Sequence, residues 1–240
     1  MKKIIIALVA GLLVASDTRA AQIFSFDQIE LWAGDGAAAT NRAALLIQWN
    51  DGNTPTAIVW GFGWNSGTKT GMDMLTAVAG LTTFSGYAPG TEPSDIHGMD
   101  SRLTVQLGYS SFGDYVNSVT YIDGITRSQT GFSSSYWAYY CMGGVFDAPP
   151  LGASNTFLGS SSYPGSNGTP NWSYSWTGAW SREIDDGSWD AWSYGADDGS
   201  FVHQAPPSLT AYAAVPEPSP LALWLLAFGV LYVRKRLHSY

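Results

Sequence analysis

Two apolar runs, one near each end, confine whatever folds in this chain to the stretch between them. The first spans residues 4–15 and follows Lys2 and Lys3; the second spans 221–233 and is followed by Arg234, Lys235 and Arg236. A basic start, an apolar run and the small-residue site Thr18-Arg19-Ala20 before Ala21 have the form of a secretory signal peptide. Residues 1–20 are therefore expected to direct export by the Sec machinery and to be removed. No cysteine lies just after the expected cut, which argues against a lipoprotein. The second run has 13 residues, about 20 Å as a helix against a hydrocarbon core of about 30 Å, which is short for a permanent anchor. Its basic cluster should stay cytoplasmic and leave the residues before Pro216 outside, with Trp224 and Tyr232 near the interface. An ordinary tail anchor and a buried C-terminal helix are the competing readings of this run.

The residues that introduce the second run narrow its meaning. Val215-Pro216-Glu217-Pro218-Ser219, an apolar segment and a closing basic cluster together resemble the PEP-CTERM sorting tail of Gram-negative bacteria, over residues 215–240. The resemblance implies recognition and processing by an exosortase, transient anchorage in the inner membrane, and then a cell-surface or extracellular location. It also implies membership of an envelope system linked to exopolysaccharide. Pro216, Glu217, Pro218, Arg234, Lys235 and Arg236 are the residues that carry it.

Between the processed ends, residues 21–214 suffice for one domain with a real core. That stretch holds 17 acidic and five basic side chains, a balance of −12, so nucleic acid is not an expected partner. Low charge content and 27 glycines in the chain, with abundant Ser, Thr and Asn, suit a turn-rich β domain. Cys141 is the sole cysteine, so no internal disulfide can form and no zinc-finger, CxxC or haem-attachment pattern exists. The expected class is α+β and β-rich: one globular domain with an antiparallel or mixed sheet and one short amphipathic helix, flanked by the signal peptide and a C-terminal hydrophobic helix.

The clearest local unit is a hairpin over 41–64, two strand-like runs joined by the turn-dense Asn50-Asp51-Gly52-Asn53-Thr54-Pro55. In its second strand Ile58, Trp60, Phe62 and Trp64 share one face, while Val59, Gly61 and Gly63 share the other. The nearly bare glycine face admits a backbone, an aromatic ring or a ligand at close range, and packing by another element is the simpler expectation. Thr70 with Asp73 three residues on predicts a capping box, Met74, Leu75 and Val78 an apolar stripe, and Gly80 a left-handed helix end. Strands are expected over 102–110, 115–122 and 136–141, with a turn at Asp123-Gly124 and a long loop over 143–170.

Aromatic residues concentrate after that loop. Trp172, Tyr174 and Trp176 would share a strand face, with Trp180, Trp189, Trp192 and Tyr194 close behind. An exposed row of such rings could stack on sugars or a planar cofactor, since the ring faces are apolar and lose little rotamer freedom. The alternative, expected for at least half of them, is that they form the core of a domain short of long aliphatic residues. Asp185-Asp186-Gly187-Ser188 and Asp197-Asp198-Gly199-Ser200 echo each other and could collect oxygen ligands for calcium, but no EF-hand loop surrounds them, and two solvated turns are the expectation. His97, near Asp95 and Asp100, reads as an exposed loop histidine rather than a metal ligand. G-x-S-x-G, H-E-x-x-H and phosphate-loop patterns are absent, so no catalytic, metal or cofactor residue is assigned.

The order of the capped helix, then 114–124, Tyr136-Trp137-Ala138-Tyr139-Tyr140, Trp172-Ser173-Tyr174 and 184–194 resembles exported transcobalamin C-terminal-like domains, over about 68–195. That resemblance implies a β-grasp-like α+β fold and a small-ligand or surface-binding role, linked to corrinoid uptake in some relatives. The expected function is that of an exported, non-catalytic surface or matrix protein. A glycan- or corrinoid-like-cofactor-binding module and an envelope polysaccharide hydrolase, which needs two carboxylates across a cleft, are the alternatives.

Overall fold

A computed structural model describes residues 25–83, 97–110, 113–131, 134–142, 172–175, 178–196 and 211–216. The expected signal peptide, the 143–170 loop, Trp176, the second Asp-Asp-Gly-Ser echo, Glu217, Pro218 and the apolar run with its basic cluster lie outside these residues. The described chain is β-rich with one α-helix, as the composition implies. None of its helices is long and apolar enough to cross a membrane.

The hairpin forms where expected. β2 (Asn41–Gln48) and β3 (Ala57–Trp64) pair antiparallel from Asn41 opposite Trp64 to Gln48 opposite Ala57. Asn50 and Gly52 supply the positive φ angles of the connection. β3 is the hub of a mixed sheet. β1 (Trp32–Gly34) and β13 (Tyr212–Ala213) both lie parallel to it on its outer edge, β13 beside Ile58 and Val59, β1 beside residues 61–63. On the other side the order continues through β2, β12 (Trp189–Ala196), β9 (Ser135–Met142) and β10 (Ser173–Tyr174). β2 and β12 are parallel neighbours, and β12 and β9 are antiparallel.

Both faces of this sheet are covered, which is why its central strands read as near-continuous apolar runs. One face carries Leu45, Ile47, Trp60, Phe62, Trp137, Tyr139 and Trp192 into the larger core. Across that core lie α1 (Gly71–Val78) and a second sheet of β5 (Ala79–Thr83), β6 (Asp100–Ser110), β7 (Gly113–Ile122) and β8 (Thr126–Thr130). These contribute Met74, Leu75, Val78, Leu103, Val105, Val119 and Tyr121. The opposite face presents Leu46, Val59, Tyr140, Met142 and Trp189 to Phe26, Ile29, Trp32, Ala211 and Ala213. The two ends of the described chain thus close the second core together.

The glycine face of β3 is filled from within. A Cβ on Gly61 would overlap the Trp32 ring, and one on Gly63 would overlap the Gly36 carbonyl oxygen. β1 and the turn after it can pack where they do only because these two positions lack side chains. The helix begins as expected: the Asp73 amide donates to Thr70 Oγ1 at 3.1 Å, and the Thr70 amide donates to Asp73 Oδ2 at 2.8 Å. Its end differs from expectation. Ala79 turns extended at φ −100°, and Gly80 enters β5, pairing with β6, instead of adopting a left-handed cap. β4 (Lys69–Thr70) and β11 (Glu183–Ile184) form a small antiparallel pair at the helix entrance.

Candidate functional site

The aromatic residues considered for ligand stacking are divided between different surroundings. Trp189 is fully buried in the second core, with its ring centroid 5.0 Å from that of Phe26. Trp192, only 8% exposed, lies in the larger core on the other side of the sheet, 4.8 Å from the Tyr139 ring. Both are core rings because β12 is a central strand, and alternation along it sends positions 189 and 192 to opposite covered faces. Trp172 is partly buried against the second core. Tyr174 belongs to β10, opposite Tyr140. Among the described rings Trp180 is the most exposed, at 49%. The described rings therefore do not line up as one solvent-facing row.

β12 also carries a buried charge that the sequence reading passed over. Arg182 Nε and Nη2 donate to Asp190 Oδ1 at 3.0 and 2.9 Å, and Tyr139 OH donates to Asp190 Oδ2. Both members of the ion pair are completely buried. Burial raises the Asp190 pKa, while Arg182 and the Tyr139 hydroxyl pull it back down. Burial and then the Asp190 carboxylate hold the Tyr139 pKa well above its ordinary value, so Tyr139 stays a neutral donor. The Arg182 pKa is raised, because Asp190 favours its charge against the cost of burial. Gly71, the first residue of α1, packs so tightly here that a Cβ would overlap Tyr139 OH and come within 2.7 Å of Asp190 Oδ2. The Gly71 amide donates to the Arg182 carbonyl at 3.0 Å, and the Met72 amide to the Ala179 carbonyl at 3.0 Å. The cluster thus fastens the helix entrance and the 178–184 segment onto the sheet. A signal existed in the sequence: Arg182 is one of five basic residues in 21–214, beside an acidic residue set inside an aromatic strand.

The last described stretch, residues 211–216, is fastened to the edge of the sheet at several points. β13 runs along β3, the Ala214 amide donates to the Val59 carbonyl at 2.9 Å, and Arg102 Nη2 donates to the Val215 carbonyl at 2.7 Å. Arg102 is itself held by Asp100 through two contacts of 2.8 Å, and Asp100 Oδ2 accepts the Trp60 indole N–H at 2.9 Å. The guanidinium lies 5.2 Å from the Tyr121 ring centroid. Burial and then the Asp100 carboxylate raise the Tyr121 pKa above its usual range. A two-point Arg–carboxylate contact is geometrically specific as well as strong. Backbone pairing and this clamp hold the chain through Val215, and Pro216, the first residue of the Pro-Glu-Pro motif, is exposed.

His97 is exposed, and the Asp100 carboxylate is occupied by Trp60 and Arg102. Asp185 and Asp186 belong to a turn docked on β2: the Arg42 amide donates to Asp186 Oδ1 at 2.9 Å, and the Gly187 amide to the Arg42 carbonyl at 2.8 Å. Among the described residues no group of three His, Cys, Asp or Glu side chains could hold a metal ion. No protein-family model, curated protein or solved structure matches the chain.

Proposed function

We propose that this chain is an exported, non-catalytic protein whose folded body is carried to the cell surface or extracellular matrix by a PEP-CTERM tail. Sec export, transient anchorage in the inner membrane and exosortase processing are the steps this implies, with an exopolysaccharide-rich envelope as the setting. The observation that supports it best is the exposure of Pro216 beside the anchored Val215. The described chain is held through Val215, and Pro216 stands exposed at the start of the motif. A processing enzyme that engages the motif would meet Pro216 already at the surface. The body also has features expected of a β-grasp-like fold: the parallel β2–β12 pair lies between antiparallel β3 and β9, and the helix follows the first hairpin. Burial of Trp189 and Trp192 leaves the glycan and planar-cofactor readings with Trp180 as their exposed described ring.

Intact mass and fractionation of the protein from its host test this reading. The native chain should lose about the first 20 residues and everything after the Pro-Glu-Pro motif. Replacing Pro216, Glu217 and Pro218 with Ala should leave export intact but strand the protein, with its tail, in the inner membrane. Unchanged mass and localisation after that substitution would overturn the proposal.

A further inference from the structure

The tail is tied to the body with little slack, and this bears on which end of the domain faces the membrane. Val215 is fixed by Arg102 at the start of β6. The apolar run begins at Leu221, and the five Cα steps from Pro216 to Leu221 span at most about 18 Å, with prolines at 218 and 220 limiting their freedom. If that run sits in a bilayer, the surface around Arg102 lies within a short reach of the lipid.

That surface carries exposed apolar side chains. Leu103 pairs with Tyr121, so the next position along β6 and β7 sets Arg102 beside Ile122, about one strand spacing away. Ile122 closes β7 and is 55% exposed; Ile125, across the Asp123-Gly124 turn, is 47% exposed. Asp123 and Gly124 between them are also exposed, so the whole tip meets solvent. Two large aliphatic side chains flanking a two-residue turn contribute little to the core beneath. Tyr121, Val119 and Val116 already fill it.

We infer that the β7–β8 hairpin tip, through Ile122 and Ile125, rests on the bilayer surface while the tail is inserted. This depends on the tail reading above, because the tether brings the tip to the lipid. The contact is apolar rather than electrostatic: the tip carries Asp123, and the neighbouring Arg102 and Arg127 are engaged or buried inside the fold. Its occupant is thus an uncharged or zwitterionic lipid surface, and added salt should not release it. Contact at this end would hold the exposed Pro216 close to the membrane plane.

The test uses the full chain reconstituted into phosphatidylcholine vesicles, with a polarity-sensitive fluorophore on Ile125→Cys or, for comparison, on Ser66→Cys in the exposed turn 65–68. Cys141 is completely buried and is spared by labelling of the folded protein. The label at 125 should shift to the blue, brighten by at least about two-fold and be quenched by nitroxide lipid, as for an interfacial group, while the label at 66 stays unchanged. Ile122→Ser should weaken the response at 125 without altering flotation. A floating protein whose label at 125 is silent, or whose two labels respond alike, overturns the tip contact and leaves the tail reading standing. Protein that does not float with the vesicles overturns the tail reading and this inference with it.

Discussion

At the scale of single residues, the most exacting position is Gly71. A methyl group there would collide with the Tyr139 hydroxyl and press on Asp190, both fixed by a buried ion pair. The gain in helix propensity from Gly to Ala is at most about 1 kcal/mol, whereas overpacking costs about 1–3 kcal/mol. Gly71→Ala should therefore lower the urea midpoint; an unchanged or higher midpoint would mean that the helix entrance can shift off the sheet. Arg182 gives a sharper contrast. Arg182→Met leaves Asp190 buried without its counter-charge, a change that costs about 3–5 kcal/mol, while replacing both partners with apolar residues is often near neutral. Against a total of about 5–15 kcal/mol the single variant should come close to unfolding, and Arg182→Met with Asp190→Leu should recover most of the loss. Thermal melts of the two variants decide it: equal losses would show that the pair's charge is not what the site depends on.

Elements differ in how plainly the sequence announces them. The hairpin and α1 are legible because their signals are local: turn residues at 50–53 between apolar runs, and a reciprocal Thr70–Asp73 cap three residues apart. β12 is not. Its two faces enter different cores, so Trp189, Ala191 and Trp192 give no polar alternation, and Asp190 looks like a break until Arg182 is brought to it by the fold. The short edge strands β1 and β13 are equally silent, since two or three residues cannot carry a period and their pairing with β3 is made over long sequence separations. The glycines of β3 did carry information about β1, because a bare face demands a cover. It follows that Gly61→Ala should push the Trp32 ring outward and loosen β1, together with the 25–34 segment that closes the second core. Limited proteolysis should then cut before β2 while β2 and β3 stay protected; resistance equal to that of the native protein would count against this account.

For the whole molecule, the candidate site was half legible. The Pro-Glu-Pro motif and the run after it stand in the sequence, but the clamp on Val215 joins residues 113 positions apart and has no local signature. That clamp sits on Tyr121, which links the anchoring of Val215 to the alkaline stability of the body. Tyr121 and Tyr139 have native pKa values above their ordinary 10.0, each chiefly through burial and then through a carboxylate neighbour. Above pH 10 the native state keeps two protons that the unfolded chain releases. Their contribution to stability is complete below about pH 10 and is lost as the pH rises beyond it, by about 1.4 kcal/mol per pH unit for each retained proton. Asp190 acts at the other extreme: its raised pKa means that any stability from its protonated form is lost as the pH climbs above about 3.8. The unfolding free energy should thus fall steeply from about pH 10, and Tyr121→Phe, which keeps the ring under Arg102 but has no proton to lose, should make that fall shallower by roughly one proton's slope. Denaturant titrations between pH 9 and 11.5 measure both slopes, and identical slopes for native and variant would place the alkaline sensitivity elsewhere than at Tyr121.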